Sequence, residues 1–151
     1  MEQLLHETVC SIDNKALTFI FLQIIIHSYS FANSTNIVEL TTQMSRICIA
    51  FSSLYHTVHK ESPTGPYTLD RFDWYPTIVF RDARIVDQNK EPIMRFINTL
   101  HPFVEKYRDR TGAIDRDLAL QMLDTFETEK HILLENANFA GSHLLNLLDI
   151  N

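Results

Sequence analysis

Residues 37–58 read IVELTTQMSRICIAFSSLYHTV, and this stretch decides the fold class. Its apolar side chains recur three and four residues apart, at Ile37, Leu40, Met44, Ile47, Phe51, Leu54 and Val58. At about 100° per residue, a helix collects all seven on one stripe roughly 100° wide. Such a stripe is stable only when it packs against other helices. The pattern therefore predicts a long amphipathic helix, beginning at Ser34 or Thr35 and ending at Lys60, in an all-α bundle.

A second long amphipathic helix is predicted from Asp115 towards the end of the chain, after a break at Thr111 and Gly112. Its stripe holds Ala119, Met122, Phe126, Leu133, Ala137, Ala140, Leu144 and Leu147. The alternative is a helix that is kinked or split at Asn136, Asn138 and Gly141. Residues 16–31 are apolar on nearly every side, so we expect this helix inside the bundle or under a partner. Its many β-branched residues also suit a buried strand, and the length of the segment favours the helix.

Shorter helices are expected elsewhere: one over 2–12 that ends at Asp13 and Asn14, and one over 92–108 with Pro92 in its first turn. For residues 77–87 we favour a helix over a pair of short strands. The sequence thus predicts about six helices in a single domain that spans residues 1–151.

Composition excludes several function classes. The chain has 151 residues, which is the size of one domain, and only three glycines, so it lacks the glycine-rich loops that bind nucleotide phosphates. Its net charge of −6 disfavours nucleic-acid binding, because polyanions attract basic surfaces. We expect no nucleic-acid partner.

Location is inferred from the cysteines and from the apolar segment near the N-terminus. Cys10 and Cys48 are far apart in sequence, which fits a reducing compartment and two buried thiols. The apolar run over 16–26 is too short to span a bilayer, and acidic residues before it disfavour a signal peptide. The prediction is an intracellular, cytoplasmic protein without a transmembrane segment.

An aromatic loop over 61–76 is the strongest candidate for partner binding. It holds three of the five prolines, and it carries side-chain types that anchor protein interfaces, Tyr67, Arg71, Trp74 and Tyr75. The alternative is that Phe72 and Trp74 pack down on the bundle. Three leucines off the main stripe of the last helix complete the predicted partner-binding residues: Leu120, Leu134 and Leu145.

A small ligand pocket is the competing prediction. Gln23 and His27 lie on a polar line of an otherwise apolar helix, and Glu129 lies on the stripe of the last helix. Together with His59, they are the candidate pocket residues. The alternative for each is a polar side chain at the wet edge of a bundle.

Metal binding is not predicted. The spacings of His56 with His59 and of Glu127 with His131 are those of helical metal sites, but the helical phase turns Glu127 and His131 towards water and His56 away from the apolar face. No cofactor is expected.

These observations predict a non-enzymatic protein-interaction module or adaptor that binds another protein, or a second copy of itself as a homodimer. The alternative is a helical bundle that binds a small apolar ligand or a metal in its core.

Overall fold

Every regular element of the described residues is an α-helix, as predicted. The computed structural model describes residues 2–60, 75–110 and 112–136. They form α1 (Glu2–Ala32), α2 (Ile37–His59), α3 (Tyr75–Val79), α4 (Ala83–Gln88), α5 (Lys90–Thr99), α6 (His101–Asp109) and α7 (Arg116–Asn136). The buried side chains of these helices form one continuous core. Extension of the domain over all of 1–151 stays a prediction.

Helices α1 and α2 form an antiparallel hairpin. The side chain of Asn36 caps α2 by accepting hydrogen bonds from the backbone N–H groups of Val38 (2.8 Å) and Glu39 (3.3 Å). At the other end Lys60 adopts a left-handed conformation (φ 54°) and terminates the helix. Six of the seven predicted stripe residues are buried, and the seventh, Ile37, is half-buried, so the interpretation of residues 37–58 is confirmed.

The N-terminal region differs from the prediction in two ways. The predicted break at Asp13 and Asn14 does not occur, because neither residue costs a helix as much as Gly or Pro would. The helix over the apolar segment is also not enclosed. Its buried stripe, which includes Leu17, Phe21 and Ile24, packs on the core, while its outer face is open.

Three phenylalanines join α2, α5 and α7 at the centre of the core. The rings of Phe51 and Phe126 stack with centroids 4.2 Å apart, and Phe96 lies 6.0 Å from Phe51 and 5.8 Å from Phe126. Each is at most 2% exposed. Burying one such ring contributes about 1.5–3 kcal/mol, so this cluster holds the long helices to the middle of the chain.

The segment between the long helices is helical, as favoured, but more divided than expected. Residues 77–87 are split between α3 and α4, and Asp82 caps α4. The predicted helix over 92–108 is interrupted at Leu100, because Pro102 has no N–H to donate to the preceding turn.

Helix α7 begins where predicted. Gly112 adopts a φ of 81° in the turn before it, and the Asp115 carboxylate accepts a hydrogen bond from the Leu118 N–H (2.9 Å). The start of α7 is tied to α1, because the Ile114 N–H donates to Thr18 Oγ1 over 3.0 Å. Stripe residues beyond Asn136 lie outside the described residues.

Candidate interaction surface

Large apolar side chains are exposed mainly on the outside of the α1–α2 hairpin. Of the six with high exposure in the described residues, five belong to these two helices: Phe19 (65%), Ile26 (55%), Tyr29 (46%), Val38 (69%) and Ile49 (49%). Single exposed apolar residues are ordinary, but a group on one helix pair marks an interaction site. We call the outer side of the hairpin, defined by Phe19, Ile26, Val38, Glu39, Arg46 and Ile49, the hairpin surface.

An open groove runs between the two helices on this surface. Its volume is about 440 Å³. Its walls are formed by Phe19, Ile20, Gln23 and His27 from α1 and by Arg46, Ile49, Ala50 and Ser53 from α2. Apolar walls with a few polar groups among them are typical of sites that receive a side chain or a small molecule.

A chain of hydrogen bonds crosses from α1 to α2 at the groove. The buried Gln43 side chain donates from Nε2 to Glu39 Oε1 (2.7 Å), so its Oε1 is the acceptor for His27 Nδ1, also at 2.7 Å. His27 Nδ1 is therefore the donor in this contact. His27 Nε2 lies 3.3 Å from Gln23 Oε1, and because both atoms are acceptors in this arrangement, a hydrogen bond forms there only when the Gln23 amide turns its Nε2 group to the ring. The two bonds of Gln43 satisfy polar groups that are partly withdrawn from water.

Two opposite charges lie on the hairpin surface seven residues apart. Glu39 and Arg46 are both exposed, and neither forms an ion pair within the described residues. At about 100° per residue, a seven-residue step returns to nearly the same direction, so both charges lie on one line of α2. At 1.5 Å per residue they are about 10.5 Å apart along the helix.

The predicted partner-binding residues fall largely outside the described part of the chain. Tyr67, Arg71, Trp74 and Leu145 lie there entirely. Tyr75 belongs to α3 rather than to a loop, so the irregular segment ends earlier than predicted; its side chain and that of Leu134 in α7 are not described. Leu120 is 39% exposed on α7, on a different helix from the hairpin surface.

The structure brings together two of the four predicted pocket residues. Gln23 and His27 share the groove. His59 is exposed, its ring packs on Tyr55, and it lies sixteen residues beyond Gln43, which is about 24 Å along α2. Glu129 is half-buried on α7 and does not line the groove. The groove also lies at the surface rather than in the core.

The histidine pairs behave differently from each other. His131 is 70% exposed and lies 3.5 Å from Glu127, so the predicted solvent-facing position is confirmed. His56 is buried whereas His59 is exposed, so the prediction that His56 is turned away from the core is wrong. The helical phase of α2 alone does not show which of its residues other parts of the protein cover. Within the described ranges there is no group of three or more His, Cys, Asp or Glu side chains placed to hold a metal.

Sequence reasoning missed several residues. Lys130, rather than Glu129, lies on the buried side of α7, where its Nζ contacts Glu127 Oε2 at 2.8 Å. Lys130 lies four residues after the buried Phe126, and in a helix this spacing places both side chains on the same face. Val38 and Ile49 were missed too, although their eleven-residue spacing puts both opposite the buried stripe of α2.

Cys48 is a buried thiol, as predicted. Burial raises its pKa to about 12, so the thiol is protonated at neutral pH and is not a nucleophile. The side chain of Cys10 is not described.

One helix of the described residues, over Asn14–Ala32, is long and apolar enough to cross a membrane by length and composition. Its mean hydropathy is 1.3, and 28% of it is buried. Core helices and signal sequences meet the same criterion, so this finding does not assign a location. It extends the apolar segment beyond the eleven residues of the sequence estimate, and the expected absence of a transmembrane segment stays a prediction.

Comparison with known proteins gives no relative: no protein-family model, curated protein or solved structure matches the chain significantly.

Proposed function

We propose that this protein is a non-enzymatic protein-interaction module and that the hairpin surface makes the contact. The single observation that carries this proposal is the concentration of exposed apolar side chains on α1 and α2. Exposing Phe19, Ile26, Val38 and Ile49 to water costs free energy that a partner would recover, at about 25 cal/mol per Å² of apolar area covered.

The position of α1 supports the same proposal. Three large apolar side chains of its apolar stretch, Phe19, Ile26 and Tyr29, are exposed, so this helix has apolar area available for a partner. Peptides and helices commonly bind in such grooves between two helices, with apolar anchors on each side. The proposal adds this surface to the predicted contacts at Tyr67, Arg71, Trp74, Tyr75, Leu120, Leu134 and Leu145.

The proposed location is intracellular and cytoplasmic. The free, buried thiol of Cys48 fits a reducing compartment, where such a group needs no pairing.

Site-specific photo-crosslinking tests the proposed function. A photoreactive phenylalanine analogue replaces Ile49 in the hairpin surface, and in a control protein it replaces the exposed Arg95 of α5. We expect one discrete adduct from position 49 in the source cell and none from position 95. Phe19→Asp should abolish the adduct, whereas Asn98→Asp at an exposed position of α5 should leave it. Equal labelling at positions 49 and 95, or no adduct at 49, would contradict the proposal.

A small-ligand site is the second candidate, because the groove combines a volume of about 440 Å³ with the polar groups of Gln23 and His27. Known ligand sites range from about 300 to 1,000 Å³. Native mass spectrometry before and after mild denaturation tests it. A reproducible excess mass that is lost from His27→Ala but kept by His59→Ala would support a ligand in the groove. Bare chain mass in every sample would exclude one from the purified protein.

A further inference from the structure

We infer that the occupant of the hairpin surface is a second copy of this chain, bound about a two-fold axis that passes between Thr42 and Gln43. This inference rests on the proposed interaction surface and names its partner.

Charge complementarity carries the argument. Glu39 and Arg46 are exposed, opposite in sign, without an ion pair among the described residues, and on one line of α2. When two copies of α2 lie antiparallel about a two-fold axis midway between these residues, Glu39 of each copy faces Arg46 of the other. The dimer then contains two identical ion pairs between Glu39 and Arg46, because every contact across a two-fold axis occurs twice. Such a line pairs with itself only in the antiparallel orientation.

The residues around this axis permit close approach. Thr42, nearest the axis, is a small side chain whose hydroxyl is already bonded to the Val38 carbonyl (2.8 Å), so it brings no unsatisfied donor into an interface. Val38 and Ile49 lie on either side of Thr42 and are exposed. In the antiparallel pairing, Ile49 of one copy lies within one turn of the level of Val38 in the other.

Helix α1 continues the interface on one side. The 2.7 Å contact of His27 with Gln43 sets the level of α1 beside the axis, so Ile26 lies within one turn of it. A two-fold axis in the plane of the interface keeps α1 of both copies on the same side of α2. The two hairpins therefore face each other as two layers, and the product is an intermolecular four-helix arrangement with the grooves facing inward.

Two charge-reversal variants test this arrangement: each should fail to dimerise alone, and the two together should restore the dimer. Arg46→Glu gives a chain with two acids on the line, and Glu39→Arg gives a chain with two arginines. Each variant alone should be monomeric, with a dimer dissociation constant raised at least about 10-fold, since like charges then face each other. Mixed in equal amounts, the two variants should form a heterodimer, because every facing pair is again opposite in charge.

The matched controls are Arg95→Glu and Glu91→Arg on α5. Both residues are exposed, and Glu91 lies in the first turn of its helix just as Glu39 does. These controls make the same charge changes and should dimerise like the unmodified protein. Circular dichroism checks that each variant is folded, and analytical ultracentrifugation across about 1–200 µM gives the dissociation constants, a range that covers micromolar homodimers.

The outcomes separate the two proposals. A monomeric unmodified protein over the whole range, a dimer that both reversals leave intact, or two monomeric reversals that fail to associate when mixed would each overturn the second-copy inference. Adducts of Ile49 with a different protein would still support the proposed interaction function. Absence of any position-49 adduct would overturn the proposed function itself.

Discussion

His27 on α1 donates from Nδ1 to Oε1 of the buried Gln43 on α2, across 2.7 Å. The acceptor is oriented by Glu39, which takes the hydrogen bond from the Gln43 Nε2 group. This relationship joins the two helices of the hairpin by polar contacts beside the groove, where apolar packing is incomplete.

Replacing Gln43 by Ala should lower the free energy of unfolding by about 1–3 kcal/mol, because the His27 N–H loses its acceptor in a partly buried setting. Gln23→Ala is the matched control. Its 3.3 Å contact is longer and borders the open groove, so water replaces it and the loss should stay below about 1 kcal/mol. Urea unfolding gives both values. Equal losses of unfolding free energy in the two variants would show that the Gln43 contact stabilises the protein no more than the Gln23 contact does.

Phe126→Ala should destabilise the protein by about 3–5 kcal/mol, since it leaves a cavity where the ring stacked on Phe51 and met Phe96. Phe19→Ala removes the same side chain from an exposed position and should change the stability of the monomer by less than about 0.5 kcal/mol. Thermal unfolding at a concentration where dilution has no effect compares them. A larger loss from Phe19→Ala would mean that α1 is packed more tightly than its exposure indicates.

Cys48 should make stability fall as pH rises through the alkaline range. Burial raises its pKa from 9.0 to about 12. Between these values the unfolded chain gives up a proton that the folded chain keeps, so the folded state loses up to about 1.4 kcal/mol per pH unit. Below about pH 9 the contribution is constant.

The comparison for this prediction is Cys48→Ala in a Cys10→Ser background. Denaturant unfolding between pH 7 and 11 should show a shallower alkaline decline for Cys48→Ala than for the background protein. Parallel curves would exclude the thiol as the cause. In the background protein, a thiol reagent at pH 8 should react with Cys48 only at the rate of unfolding.

Asp82 should contribute stability that is present at neutral pH and lost in acid. The side-chain hydrogen bond from Arg84 lowers the pKa of this carboxyl below 3.8, so the folded state favours the ionised form. Asp82→Asn keeps a cap for α4 but removes the charge. The stability difference between the unmodified protein and Asp82→Asn should therefore be present above about pH 4 and vanish as pH falls through the lowered pKa. A difference that stays constant as the pH is lowered from neutral to the most acidic conditions that urea unfolding allows would assign it to cap geometry instead.

The helices with a one-sided apolar pattern could be predicted from the sequence. Residues 37–58 have a single phase, and the only helical solution buries Leu40, Met44 and Phe51 together. Gly112 similarly marked a turn, because it permits the positive φ found there.

The surface of α1 could not be predicted in the same way. The polar line of Gln23 and His27 is the one local signal of phase on this helix, and it does not show how far the open face extends. The difference between Phe21, which is 1% exposed, and Phe19, which is 65% exposed, is therefore only weakly marked in the sequence. That distinction depends on where α2 and α7 lie. Lys130 was missed because it is charged, although it lies one turn after the buried Phe126.

The hydrogen bond from Ile114 to Thr18 joins residues 96 positions apart in the chain. A ribosome adds about 5–20 residues per second, so Ile114 is synthesised about 5–20 s after Thr18, and the hydrogen bond between them cannot form before then. During that interval the nascent chain presents its most apolar helix with α2 as the main element that contacts it. Efficient production of this protein therefore depends on early pairing of the first two helices, or on chaperones that shield α1 until translation passes residue 114.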